Sequence, residues 1–316
     1  MLALASVPAV VSGHGREHGN DTGLPLQWNF DPGTTVPLLL AALVYGLGVC
    51  RLWRRAGIGR GLSWGRVGAF SAGLLTLVMA LVSPLEAMAT ELFSLHMVQH
   101  LLLILIAPPL LILGQFDLAL LWALPRRWRP IAGRIEGRLG RFLDMRGQGG
   151  PLLVAVLATG ALWVWHLPGL YDLAVQDQAV HYAEHTSFIV TALLFWAMIL
   201  RLRPRDHLDN GLRLLYVFAM AFQGSLLGAL ITFTSRPLYT SYAAGSAAWE
   251  LTPLEDQQIA GLIMWVPPAF LYLGVICYLF VNWLAAVSAH TAAATPFRKT
   301  APPSYGVVER SGESKG

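Results

Sequence analysis

Charge is scarce in this chain: Asp, Glu, Lys and Arg together make up 13% of its 316 residues, about half the share of a soluble domain. That scarcity excludes an ordinary water-soluble globule. Cysteine is scarcer still. The only two, Cys50 and Cys277, stand apart inside apolar runs, which excludes a disulfide framework and a Cys-x-x-Cys metal or redox motif. Both read as small buried hydrophobes near the cytoplasmic half of the molecule. Lys and Arg exceed Asp and Glu by 22 to 18, yet the basic residues are dispersed over alternate loops, so the excess does not point to nucleic acid.

What the chain has in abundance is apolar surface, at 55% of residues. Runs of about 20 apolar residues recur, each long enough to cross a hydrocarbon core of roughly 30 Å. They predict an all-α integral membrane protein, a seven-transmembrane-helix bundle spanning 36–287. The helices fall at about 36–52, 66–83, 92–113, 150–167, 179–200, 212–234 and 259–287. Ahead of them, residues 1–35 combine a small apolar start, Met1 to Ser12, with a polar, Gly- and Asp-rich stretch. The start reads as a possible signal remnant lacking its basic n-region, and the rest as a flexible outer segment. Residues 288–316 are rich in Ala, Pro, Ser and charge and read as a disordered cytoplasmic tail.

Orientation follows from the arginines and lysines. Twenty of the 22 lie in the loops after the first, third and fifth spans and in the tail; only Arg16 and Arg236 fall on the other side. The basic side is cytoplasmic, which sets the N-terminus outside and the C-terminus inside. Between spans three and four, Trp128, Ile131, Ile135, Leu139 and Phe142 recur every three or four positions with arginines filling the gaps. This predicts an amphipathic helix on the cytoplasmic leaflet, or a docking surface for another cytoplasmic segment.

Imidazoles within membrane spans are costly and ask for a function. The third span opens with His96-Met-Val-Gln-His100, the fourth ends at Trp165-His166, and the fifth opens with His181-Tyr-Ala-Glu184-His185. Each four-residue spacing stacks two imidazoles on one helical face. The topology carries all five to the outer ends of three helices, where they could share one metal ion; neutral imidazole suits copper, zinc, iron or nickel. A single such histidine is more often an interface residue; five at one depth are not easily read that way. Met97 and Met264 offer thioethers suited to Cu(I), or simply packing, as does Met88. Asp256 either orients a ligand histidine or caps a helix; Glu255 reads as a cap. Glu86 and Glu91 share the ambiguity. His14 and His18 sit in the outer segment as solvated linker residues. Pro108-Pro109 and Pro267-Pro268 should kink or loosen their helices.

Other chemistries compete. His181-x-x-Glu184-His185 matches the inverted zinc-peptidase pattern, which with Ser83 and Glu86 leaves room for a seven-helix membrane zinc hydrolase with Glu184 or Asp256 as base. His96-Met97 lacks the Glu of the H-E-x-x-H motif. Haem between two histidines is a further option. A copper permease would need polar residues through the inner halves of the helices, which are nearly all apolar.

The run from His96-Met-Val-Gln-His100 through Pro108-Pro109 to Gly114 closely resembles the hallmark of the CtaG-type cytochrome c oxidase assembly factors, which are polytopic bacterial membrane proteins. Trp165-His166-Leu-Pro168, His181-x-x-Glu184-His185 and Asp256-Gln257-x-x-Ala260-Gly261-Leu-x-Met264-Trp265 support the likeness, which covers about Trp28 to Trp283. The resemblance implies a multi-pass protein of the bacterial plasma membrane that matures the haem–copper oxidase and plausibly handles its copper. Its expected partners are the oxidase catalytic subunit, a periplasmic copper chaperone and the lipid bilayer. The expected ion is Cu(I), with zinc the alternative, on His96, His100, His166, His181 and His185, supported by Asp256, Glu184, Met97 and Met264. A single-span, cysteine-bearing copper chaperone shares the family's name, but this chain has no such motif. Assembly, rather than catalysis, is the expected role.

Overall fold

The first apolar run starts and stops on local signals. In the computed structural model, which describes residues 27–144, 149–200 and 207–294, α1 spans Pro32–Ala56. Asp31 caps it by accepting from the Thr34 N–H at 3.0 Å, and Pro32 occupies the first turn, where its missing N–H costs nothing. The return to α2, Trp64–Leu81, runs through Gly57, Gly59 and Gly61, whose φ angles of 96°, 76° and 81° belong to a region that side chains with a Cβ rarely adopt. The expected signal remnant, His14, His18 and all but the first residues of the tail lie outside the described residues.

A short helix α3, Pro84–Ala89, leads into α4, Phe93–Leu113. The expected distortion at Pro108-Pro109 is present as a π-helical turn over Leu102–Ile106. Pro108 has no N–H to offer the Ile104 carbonyl, and that freed acceptor is instead met by the Trp196 indole N–H at 2.9 Å, as an apolar medium requires. By contrast, Pro267 and Pro268 lie within an uninterrupted helix. After α4 come α5, Phe116–Ala123, α6, Arg129–Phe142, α7, Gly150–Trp165, and α8, Pro168–Gln176. These are followed by α9, Gln178–Leu200, α10, His207–Phe233, α11, Ala243–Ala248, and α12, Pro253–Ala294. The last helix therefore continues past residue 287 into what reads from sequence as tail.

Among the described residues there are six helices long and apolar enough to cross a membrane, or seven if the bent pair of α7 and α8 counts as one. The fourth span, expected over about 150–167, ends at Trp165, and a short helix that the sequence reading did not assign follows it. Pro168 forces the preceding Leu167 into extended backbone (ψ 127°), α7 stops at Trp165, and α8 leaves at 78°. Large apolar side chains cover the outside of the spans: Leu39, Leu40, Leu43 and Leu47 on α1, and Phe218, Phe222, Leu226 and Leu230 on α10. Such stripes would be untenable in water and are solvated by acyl chains. The chain is a multi-pass membrane protein. Cys50 on α1 and Cys277 on α12, expected to be buried, are exposed, because in a bilayer an apolar residue gains nothing by facing inward.

Inside, α10 and α12 cross at Gly228 and Gly261. A Cβ on Gly261 would lie 2.4 Å from Thr232 Oγ1 and 2.8 Å from the Gly228 carbonyl oxygen, so only hydrogen lets these backbones meet. Tyr45 stacks on Phe70 and donates to the Gly114 carbonyl at 2.9 Å, joining α1, α2 and the end of α4. An aromatic layer of Phe93, Tyr171, Tyr239 and Tyr242 closes the end of the bundle that carries the histidines.

Candidate metal centre

Three helix ends deliver the imidazoles. His96 and His100 lie one turn apart on α4, with ring centroids 4.3 Å apart. Asp177 Oδ1 accepts from the Ala179 and Val180 N–H groups and so starts α9. That places His181 in its first turn and Glu184 and His185 in the next; the His181 and His185 rings are 4.0 Å apart. His166 stands at the break between α7 and α8, where Pro168 ends the helix. His96 is 5.5 Å from His181 and 5.9 Å from His185 between centroids, and His100 is 5.4 Å from His185 and 6.1 Å from His166.

Within this set, ligand atoms of His96, His100, Glu184 and His185 all lie within 4.8 Å of one another, and all four side chains are buried. His166 and His181, grouped with the others on sequence, neighbour that inner group, His166 at His100 and His181 at His185 and His96. Glu184, read from sequence as a supporting residue or a base, is a member: its Oε1 is 3.6 Å from His100 Nε2. Its side chain reaches the site from the second turn of α9, although as the neighbour of His185 it leaves the helix at a different angle.

The polar atoms here are unsatisfied. His96 Nε2, both ring nitrogens of His100, Nε2 of His166, His181 and His185, and both oxygens of Glu184 are buried without a hydrogen-bond partner. Each orphaned group costs on the order of 1–3 kcal/mol, so a protein needs a reason to collect them. A cation that accepts their lone pairs is such a reason, and the donor set fits a borderline ion.

Neighbouring groups set the imidazole tautomers. His166 Nδ1 donates to the Leu162 carbonyl at 2.6 Å, leaving the Nε2 lone pair free. His96 Nδ1 is 2.7 Å from the Tyr242 hydroxyl, which is 3.0 Å from that of Tyr171. With Nδ1–H donating to the tyrosine oxygen, the His96 Nε2 lone pair is also left free. Burial holds the Tyr242 hydroxyl well above its ordinary range, so it remains uncharged. No sequence pattern points to Tyr171 and Tyr242, which come from α8 and an outer loop with no periodic signal.

Asp256 does not touch an imidazole. Its carboxylate accepts from the Phe93 N–H at 2.7 Å and the Ser94 N–H at 3.0 Å, capping the start of α4 from α12. Met97 and Met264 are buried and line, with His100 and His166, a cavity of about 80 Å³ on the inner side of the cluster. Glu86, in α3, accepts from Gln99 Nε2. It lines a smaller cavity of about 30 Å³ with His96, Gln99, Thr90, His181 and Tyr242.

Three curated proteins match the chain: uncharacterized proteins of Mycobacterium bovis and Mycobacterium tuberculosis, each 27% identical over 270 residues, and one of Mycobacterium leprae, 26% identical over 270 residues. Each match covers 81% of this chain, which spans only 39% of the length of these relatives. No solved structure matches significantly. The profile of the cytochrome c oxidase caa3 assembly factors matches residues 43–286, which takes in the whole histidine cluster. The chain therefore belongs to the cytochrome c oxidase caa3 assembly factor family.

Proposed function

We propose that the protein assists assembly of cytochrome c oxidase by holding copper transiently at the His96–His100–Glu184–His185 group, at the outer end of its membrane bundle. The observation that carries this reading is the set of six imidazole nitrogens and two carboxylate oxygens, buried, convergent and unpartnered. Imidazoles bind copper without the closed thiolate cage that would retain it. The thioethers of Met97 and Met264 lie beside the next cavity inward. His166 and His181 act as neighbouring ligands beside the inner group.

The distribution of basic residues supports an N-out, C-in orientation in a bacterial plasma membrane, with the site facing the compartment from which a periplasmic chaperone would deliver copper. The oxidase catalytic subunit is the receiving partner. On the opposite side, α6 presents Trp128, Ile131, Ile135, Leu139 and Phe142 outward and rests its apolar face in the cytoplasmic leaflet.

A zinc hydrolase is less favoured, because Asp256, one of its two candidate bases, is committed to the α4 backbone. A permease is less favoured because the cavity inward of the cluster is walled by Leu101, Ile104, Leu105 and Phe195. Metal content after anaerobic loading with Cu(I) or zinc tests the reading in the detergent-purified chain. Stoichiometric copper, lost in His96→Ala/His100→Ala, is expected. Tight zinc with no copper, or copper retained by the double variant, would overturn it.

A further inference from the structure

The inner ligand group is sealed from above by the aromatic layer, so an ion must have a way in. The small cavity beside it supplies one. Thr90 at its rim is exposed, Glu86 and His181 are half-buried, and His96 at its floor is 3% exposed. Three polar atoms around it are buried and unpartnered: His181 Nε2, His96 Nε2 and Gln99 Oε1. Glu86 is held in place by Gln99, whose amide nitrogen also donates to the Ala80 carbonyl at 2.8 Å. That second bond fixes the amide with its nitrogen toward Glu86 and turns its unpartnered oxygen elsewhere in the cavity.

We infer that Glu86 and His181 form an outer capture site for the metal cation, from which it passes by His96 to the inner group. The argument is one of order and charge. From rim to floor the donors become progressively less exposed, and successive rings are within reach: His181 lies 5.5 Å from His96, and His96 lies 4.3 Å from His100. When ionised, Glu86 at the mouth attracts a cation over several ångströms, whereas neutral imidazole does not. His181 stands outside the inner group because its place is one helical turn nearer the surface, on the cavity that Glu86 also lines. The inference rests on the copper reading of the inner group, and it assigns Glu86 a role in the rate of loading, with the final occupancy set elsewhere.

The test is stopped-flow transfer of Cu(I) from a coloured bis-chelate to the full-length protein in lipid nanodiscs, under anaerobic conditions. Wild type, Glu86→Gln and Glu86→Asp are compared, and equilibrium copper is measured for each. Uptake slowed about tenfold or more in Glu86→Gln, with the same final stoichiometry and partial recovery in Glu86→Asp, is the expected result. Equal rates in wild type and Glu86→Gln would overturn the capture site while leaving the inner group intact. Copper lost at equilibrium in both variants would also overturn it, making Glu86 part of the resting site. A wild type that takes up no Cu(I) would instead remove the copper reading itself. Matching melting curves for the uncharged variant and wild type guard against misfolding.

Discussion

Asp256 and Phe93 are 163 residues apart in sequence, yet the Asp256 carboxylate accepts the Phe93 N–H at 2.7 Å and the neighbouring Ser94 N–H at 3.0 Å. Two orphan donors at the start of the histidine-bearing helix are thereby satisfied by a side chain 1% exposed, and a negative charge sits at the positive end of that helix dipole. The contact sets the depth and rotation of α4, and so where His96 and His100 point.

Replacing Asp256 should therefore weaken metal binding without removing any ligand. Asp256→Ala is expected to lower thermal stability by about 1–3 kcal/mol, the cost of stranding buried donors. It should also reduce copper affinity about 10–100-fold, as loss of an orienting group does. Asp256→Asn, which keeps one acceptor, should fall between. Competition with a Cu(I) chelator measures the affinity. Unchanged affinity in Asp256→Ala would dissociate the cap from the site.

Tyr242→Phe removes the oxygen that His96 Nδ1 meets at 2.7 Å. The ring remains to fill the aromatic layer, so folding should change little. Copper affinity should drop about tenfold as His96 loses its preferred tautomer. An equal affinity, read by the same competition, would mean that the tyrosine only packs.

Glu184 gives a prediction with opposite signs in two states. Without metal its carboxyl group is fully buried and lacks hydrogen bonds, so that its polar atoms are stranded and it could ionise only at a cost. Glu184→Gln should therefore melt higher than wild type when metal-free. With copper added, wild type should gain about 2.7 kcal/mol at a hundredfold excess over Kd, and the variant distinctly less. A variant that is weaker when metal-free and gains as much as wild type on loading would contradict this.

Glu86 lies in the short helix outside the spans, and burial pushes its carboxyl up from 4.5 to about 7, with the Gln99 hydrogen bond opposing and Asp31 adding to the rise. The folded chain thus retains a proton that the unfolded chain gives up. Its contribution to stability is fully present below about 4.5 and is lost as pH rises through about 7. Melting curves from pH 5 to 8 should show wild type losing stability relative to Glu86→Gln over this window. Parallel curves would show that Glu86 titrates normally.

Much of this was legible beforehand, for identifiable reasons. Apolar runs report spans directly, because the bilayer demands them, and a four-residue spacing reports a shared helix face whatever the tertiary fold. His96, His100 and His185 meet on that basis. The end of the fourth span at His166 is written locally, in Pro168, whereas the short helix Pro168–Gln176 after it has too few residues for hydropathy to register. Asp256 was ambiguous because its partner is an α4 backbone group, and backbone donors carry no sequence signature. Tyr171 and Tyr242 reach the site from a bent segment and a loop, where neither period applies. Glu184 stands in a motif in the sequence, and its approach to His100 depends on tertiary packing that no local pattern reports.

The central claim is that these buried imidazoles handle copper for the oxidase. Its most direct test is the copper-to-haem ratio of cytochrome c oxidase purified from cells in which the chromosomal protein is replaced by His100→Ala/His185→Ala. The account predicts an oxidase that retains haem and is deficient in copper, restored by the wild-type protein. A normal copper-to-haem ratio, with the variant shown to be present in the membrane, would contradict it.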